Sequence, residues 1–485
     1  MTSTELPEAA IPPAGDPFPA VAGEHGEFER ESVPESKLLG FKNFIGMYAG
    51  EHCAGTELMI GPLFVAAGVS AFDLVVGLLV GNLLAVLSWM FLTAPIATRA
   101  RLTLYYQLEK ICGRQLVTLY NLANGVMFCF LAGAMITVSA TAVGVWTNIP
   151  MPELEDVYPD STGWVLTVFG IGILISIVAA YGYETVSWFA NIAAPWMVAA
   201  FAIFGLVGLG EFYRETGMPL ESFGDFWKMA EGAIWKGGDP LADQTKFTFW
   251  HVMFFAWFCN MVMHIGMSDL TIFRFARKSW YSIATAAGMY IGHFMAWLSA
   301  SILFALQLHR TPDVTKVSPG PMAYEAAGVA GLLCVIVAGW TTANPTIYRA
   351  GLAFQAVVPW MSRYKVTMLT GLLATIAGMF PAVAMKLLGF VALYGLVLMP
   401  MGAVIFIDFW LAPRLGFEQN AAEKFGLRFN IAAGVAWVGT LAICVGIVIS
   451  YGQGVLFFVS LPGWFVASAL YIAFSLALYR KQGAA

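Results

Sequence analysis

Twelve apolar runs, most of them near twenty residues or longer, occupy the greater part of this 485-residue chain. A bilayer's hydrocarbon core is about 30 Å thick, which a helix crosses in roughly 20 residues. Only helices and closed barrels satisfy every backbone group there. The runs lie at 41–69, 73–97, 116–146, 163–181, 188–209, 247–268, 280–307, 323–357, 365–380, 386–409, 430–450 and 455–478. Runs three and eight exceed the bilayer's need and are expected to tilt or protrude. Charged residues make up only 11% of the chain and hydrophobic residues 59%. Soluble proteins carry about 25% charged residues, so an ordinary soluble enzyme is excluded. A membrane β-barrel would alternate polar and apolar positions, which these continuous runs do not. The expected class is an all-α polytopic membrane protein with about 12 transmembrane helices.

The net charge is −5 and no basic domain stands out, which argues against nucleic acid as a partner. The six cysteines form no CxxC pair, and five sit in apolar runs, so neither a disulfide framework nor a zinc site is expected. Residues 1–37 are rich in Pro, Gly and Glu and read as a disordered cytoplasmic tail. The membrane domain is expected over 38–480, with 481–485 a second short tail. With the N-terminus inside, 18 Lys and Arg fall in cytoplasmic segments and 7 outside, Arg349 being among the cytoplasmic ones. That asymmetry predicts cytoplasmic termini in a cell inner (plasma) membrane. Five spans occupy 41–209 and five more occupy 247–409, followed by two at 430–478. Five is odd, so the second block is inverted relative to the first. Such inverted blocks characterise many secondary transporters, whose substrate sites form where a helix of each block is interrupted.

The first span contains Gly50-Glu51-His52-Cys53-Ala54-Gly55-Thr56-Glu57. Carboxylates in an apolar span cost about 2.5–3.5 kcal/mol each on insertion scales, so they mark function or pairing. Glycines lower helix stability and permit unwinding. A break near Gly50–Gly55 is therefore expected, with freed carbonyls available to a cation. Glu51 is the leading candidate, and its alternatives are a bound cation, a cationic substrate, a base edge or a neighbouring helix. Span six offers Trp257, Phe258, Asn260 and His264, with a break expected near Asn260–Gly266; His264 reads as a satisfied core histidine. Asp269 lies near Arg274 and Arg277, and an ion pair with them is expected. Span eight contains Trp340-Thr341-Thr342-Ala343-Asn344-Pro345. Adjacent hydroxyls there can serve a hard cation such as Na⁺, or bond back to the preceding turn. Pro345 frees one more carbonyl.

These residues resemble a known family. Trp340-Thr341-Thr342-Ala343-Asn344 with Tyr348-Arg349-Ala350-Gly351-Leu352 is similar to the eighth helix of cytosine permeases, members of the nucleobase–cation symporter (purine–cytosine permease) family. Gly81-Asn82-Leu83-Leu84, Asp269 with Arg274-Phe275-Ala276, and Pro400-Met401-Gly402 with Asp408-Phe409 resemble further elements of that family. The resemblance implies a leucine-transporter-like fold, a 5+5 inverted repeat plus two helices. It implies a cation site of helix-one carbonyls, Ala49 and Ala54, with the hydroxyls of Thr341 and Thr342. The candidate substrate residues are Gly50, Glu51, Asn124, Phe128, Trp257, Phe258, Asn260 and Asn344, although the acidic Gly50-Glu51-His52-Cys53 segment departs from that family's usual helix-one sequence. Ala338 stands where the bacterial pattern has Asn, and the third helix offers Asn124, Met127 and Phe128 in place of a tryptophan.

The expected function is a cation-coupled symporter importing a nucleobase or related small nitrogenous heterocycle. Na⁺ or H⁺ is the coupling ion, with no organic cofactor; the partners are that solute and the lipid bilayer. A symporter for a cationic amine or amino-acid-like solute is the alternative, and a non-transporting solute sensor on the same fold is another. No HExxH or GxSxG stands in a span, which disfavours an enzyme. The sequence does not address the oligomeric state.

Overall fold

The computed structural model describes residues 27–153, 156–242, 244–313, 315–452 and 455–481. In chain order its helices are α1 (Lys42–His52), α2 (Glu57–Ala66), α3 (Ala71–Ser88), α4 (Ala94–Ala100), α5 (Leu104–Cys112), α6 (Arg114–Thr147), α7 (Thr162–Ala180), α8 (Tyr183–Thr216) and α9 (Phe223–Met229). The second half holds α10 (Phe249–Phe258), α11 (Met261–His264), α12 (Leu270–Phe273), α13 (Met295–Arg310), α14 (Pro319–Val357), α15 (Arg363–Gly378), α16 (Ala382–Met385), α17 (Leu387–Phe406), α18 (Ala412–Leu415), α19 (Ala421–Phe425), α20 (Ile431–Tyr451) and α21 (Leu456–Leu478). Among the described residues there are no β-strands, only isolated bridges.

Among the described residues, 9 helices are long and apolar enough to cross a membrane by themselves. The three other apolar runs are shorter for physical reasons. Span one is split into α1 and α2, span six into α10, α11 and α12, and α15 has only 16 residues. The extra length of span eight also resolves: Gly328 has φ +58°, so a short leading helix turns into the long one there. A left-handed residue without a Cβ is the natural place for that turn.

Helix α1 ends because Cys53 leaves helical geometry, at φ −94° and ψ 54°. The chain resumes as α2 at Glu57. In span six, Asn260 (φ −108°, ψ 25°) separates α10 from α11, and Met267 adopts φ +63° before α12. The two breaks fall in the first helix of each block, where glycine and polar residues interrupt the apolar pattern. Gly402 of α17 lies so close to the second break that a Cβ there would overlap the Ile265 carbonyl.

Two groups of spans frame these breaks. Spans one, two, six and seven pack through α2 on α13 and α3 on α10. Spans three, four, eight and nine pack through α6 on α14 and α15 on both α6 and α7. Helix α8 bridges α1, α13 and α14, while α20 and α21 cover α17. The architecture is that of a leucine-transporter-like, all-α polytopic membrane protein.

One expectation needs correction. Residues 1–26 lie outside the described part, but 27–37 are not a free tail. Arg30 donates to both carboxylate oxygens of Glu109 at 2.9 and 2.8 Å. Glu27 accepts from the Tyr348 hydroxyl at 2.7 Å and the Tyr183 N–H at 2.8 Å. Charged residues that look like solvated tail in sequence are here bonded to α5, to the start of α8 and to α14.

Candidate functional site

The helix breaks face a cavity walled on its polar side by Glu51, His52, Thr56, Glu57, Asn260, His293, Thr342 and Thr346. Leu131, Met135, Ile60, Val262, Met263 and Val391 supply apolar walls, and Tyr394 an aromatic one. The cavity thus draws on α1, α2, α6, α11, α14 and α17 together with the π-helical turn over Ala287–Phe294 that leads into α13.

Glu51 has a partner that its local sequence does not reveal. Arg349 of α14 donates from Nη1 to Glu51 Oε1 at 2.6 Å and from Nη2 to Asp269 Oδ1 at 2.7 Å. The other Asp269 oxygen accepts from the Tyr48 hydroxyl at 2.7 Å and from Trp89 Nε1 at 2.8 Å. Arg349 and Asp269 are both 0% exposed. One guanidinium therefore joins both broken helices to span eight, and it is shared by two carboxylates. Two expectations fail here. Asp269 pairs with Arg349, not with Arg274 or Arg277, which instead hold the carbonyls of Phe28 and Leu38. Arg349, expected among the cytoplasmic cations, is buried: the polar face of α14 carries it into the protein two turns beyond Thr342. Its position seven residues after that threonine, on the same face of an apolar helix, was the available signal.

A second carboxylate lies across the cavity. Glu57, 3% exposed, accepts a hydrogen bond from Trp297 Nε1 and has His293 Nε2 at 3.6 Å. The His293 ring stacks on Trp297 at 4.2 Å and meets the His52 ring edge-on at 4.6 Å. His293 escaped the sequence reading, although a histidine in an apolar span was itself a signal.

The hydroxyls of Thr341 and Thr342 both lie 3.0 Å from the Ala338 carbonyl, and Thr342 also reaches the Glu51 carbonyl at 3.1 Å. Thr341 turns towards Met197 of α8, its hydroxyl 3.4 Å from the sulfur. The carbonyls of Ala49 and Ala54 accept the N–H groups of Cys53 and Glu57 at 3.0 and 3.1 Å. The helix-one oxygen beside Thr342 is thus that of Glu51. Hydroxyl and carbonyl oxygens of this kind are ligands suited to a hard monovalent cation.

Of the candidate substrate residues, Glu51 and Asn260 line the cavity; Asn260 Nδ2 is buried without a partner. Gly50 faces Ala190 and Met197 of α8. Phe128 stands one layer back, edge-on to Tyr394 at 5.1 Å. Asn124 donates to the Tyr105 hydroxyl at 3.4 Å. Trp257 donates to Ser88 at 3.0 Å and stacks on Phe258 at 4.7 Å, and Phe258 faces α21. Asn344 is buried with neither amide atom bonded. His264 donates from Nε2 to the Trp257 carbonyl at 3.0 Å, so that ring nitrogen is satisfied and Nδ1 is not.

Two interrupted helices in inverted blocks, meeting at one polar cavity, define the class of broken-helix transporter folds. Within that class the chain is similar to Mhp1, a nucleobase-cation-symport-1 family transporter, in a closed conformation with bromovinylhydantoin bound. The identity is 14%, the match covers 93% of this chain and 96% of that one, and the TM-score is 0.68. It is also similar to a Na⁺-coupled sialic acid symporter in a substrate-bound, outward-open state, at 14% identity, 94% and 93% coverage and a TM-score of 0.63. Mhp1 facing inward matches at 13% identity, 93% and 95% coverage and a TM-score of 0.62. No family model matches the sequence. No curated protein matches it either. At these identities the likeness establishes the fold.

Proposed function

We propose that this chain is a cation-coupled secondary active transporter, a symporter that imports a nucleobase or related small nitrogenous heterocycle by alternating access. The observation that carries the reading is the pair of helix breaks facing one polar cavity beside the Thr341 and Thr342 hydroxyls. The fold it shares with a hydantoin-bound transporter and with a Na⁺-coupled symporter supports both halves of that statement. Asn260, Tyr394 and Thr346 supply the hydrogen-bonding groups for a heterocycle. Thr341, Thr342 and the carbonyls of Ala338 and Glu51 hold Na⁺ between spans one and eight. Binding at both places favours one occluded state, which is all that coupling requires. The protein sits in the cell's plasma membrane with both termini in the cytoplasm.

The test is uptake of labelled hydantoin, cytosine and related bases into proteoliposomes under an imposed inward Na⁺ gradient. Accumulation that collapses with the gradient is expected. The double variant Thr341→Ala, Thr342→Ala should lose Na⁺-dependent accumulation and Na⁺-dependent thermal stabilisation together. Full retention of the Na⁺ response in that variant would place the coupling site elsewhere.

A further inference from the structure

The charges around the cavity do not balance: three carboxylates stand against one guanidinium, and Glu57 is the one that does not touch it. Glu51 and Asp269 share the guanidinium of Arg349, and Asp269 has two further donors in Tyr48 and Trp89. Glu57 has no such partner. Among the described residues, no lysine or arginine lies within 4 Å of its carboxylate; the indole N–H of Trp297 and the ring of His293 are its polar neighbours. A carboxylate in a membrane interior must be paired, neutralised or in contact with a ligand. Two other cavity-lining groups point to the same need. His52 Nδ1 lies 2.7 Å from the Tyr48 carbonyl, which fixes its proton there and leaves Nε2 an acceptor. That Nε2 is buried without a partner. His293 turns Nε2 towards Glu57, which assigns its proton to that nitrogen, and its Nδ1 is likewise a buried acceptor without a partner.

We propose that Glu57, with His52 and His293, is a subsite for a cationic planar nitrogen group, an amidinium or guanidinium, carried by the transported solute. The inference rests on the transporter reading above and narrows its substrate class. A carboxylate and two imidazole acceptors match a ligand group that has several N–H donors, no acceptor and one positive charge. A neutral primary amide, which has the same shape, would set its carbonyl oxygen against the carboxylate. The positive charge also brings the two cavity carboxylates, Glu51 and Glu57, with Asp269 and Arg349 behind them, closer to neutrality. Glu51, the more conspicuous acid in the sequence, is excluded from this role by Arg349.

Benzamidinium and benzamide test it, because they share a ring and a planar terminal group and differ in charge. Their binding to the purified full-length protein is measured by calorimetry at one pH with Na⁺ present, beside hydantoin and cytosine as neutral heterocycles. The wild type is expected to bind benzamidinium at least tenfold more tightly than benzamide. Glu57→Gln should bring the two within threefold while Na⁺-dependent thermal stabilisation persists, and Glu57→Asp, which keeps the charge, should retain a preference for the cation. Equal binding of the two probes by the wild type overturns the subsite, whether or not the variants fold, and leaves a proton to neutralise Glu57. A tenfold preference that survives in Glu57→Gln overturns it as well. Binding of hydantoin or cytosine without any charge preference removes the subsite and leaves the transporter reading standing. Binding of none of the four probes, with or without Na⁺, overturns both.

Discussion

Arg349 is the residue that ties the two interrupted spans to one another. Its guanidinium contacts Glu51 and Asp269, at sequence separations of 298 and 80. Removing one member of a buried ionic network strands the others, at a cost of about 3–5 kcal/mol. Glu51→Gln keeps the size and one acceptor oxygen of the glutamate but discards its charge. It should lower the unfolding midpoint of the purified protein clearly, yet leave the affinity for a bound heterocycle within a few-fold. A loss of affinity by orders of magnitude with stability unchanged would make Glu51 a direct ligand instead. Arg349→Gln should cost more than Glu51→Gln, since it leaves two carboxylates without their counterion. Combining Arg349→Met with Glu51→Gln and Asp269→Asn should recover part of that loss, because a network replaced as a whole no longer buries an unpaired charge. A thermodynamic cycle across these variants reads the coupling directly.

At the scale of elements, the breaks persist because neighbouring helices are shaped to them. Gly402 of α17 lies against the backbone of Ile265 and Gly266, where any side chain would meet main-chain atoms. A methyl group cannot be accommodated there by a rotamer change, only by a shift of α17 or of the second break. Gly402→Val is expected to destabilise by about 1–3 kcal/mol. It should also reduce uptake more than its loss of stability explains, because the same contact fixes the far side of the break whose first residue, Asn260, lines the cavity. Denaturation and uptake measured on one preparation check both effects; wild-type uptake with wild-type stability would show that α17 does not constrain the break. Span one has the same design: Gly61 of α2 sits against the backbone of Trp297 and Ser301 on α13. Close helix contact there carries Glu57 to within reach of His293 and Trp297.

For the molecule as a whole, the transporter reading makes a quantitative demand. If Na⁺ and the heterocycle favour the same state, each must raise the other's affinity by the same factor, typically 5–150-fold. Titrating hydantoin with and without Na⁺, and Na⁺ with and without hydantoin, measures both factors. A factor of one in both titrations would show that the two ligands are not coupled. The candidate oxygen ligands on span eight and on span one belong to different helix groups, so a cation held between them joins the two groups. That is the physical link through which an ion gradient can drive a conformational cycle.

The positions of the helices and their interruptions were legible in the chain, because both follow from local chemistry. An apolar run long enough to cross a bilayer must close its backbone hydrogen bonds as a helix. Gly50, Gly55 and the polar residues around them, like Asn260 and Gly266, weaken that helix where they stand. Thr341 and Thr342 were legible for the same reason, as neighbouring hydroxyls on one apolar helix. The partners of the buried charges were not. Arg349 read as one more cytoplasmic cation, Asp269 as the partner of Arg274, and His293 as nothing at all, since no periodicity says which helix will pack against which. The identity of the unbalanced carboxylate, Glu57 and not Glu51, depends on contacts between α1, α12 and α14 on one side of the cavity and between α2 and α13 on the other. Sequence fixes where a charge enters the membrane interior; only the packing of distant helices decides what neutralises it.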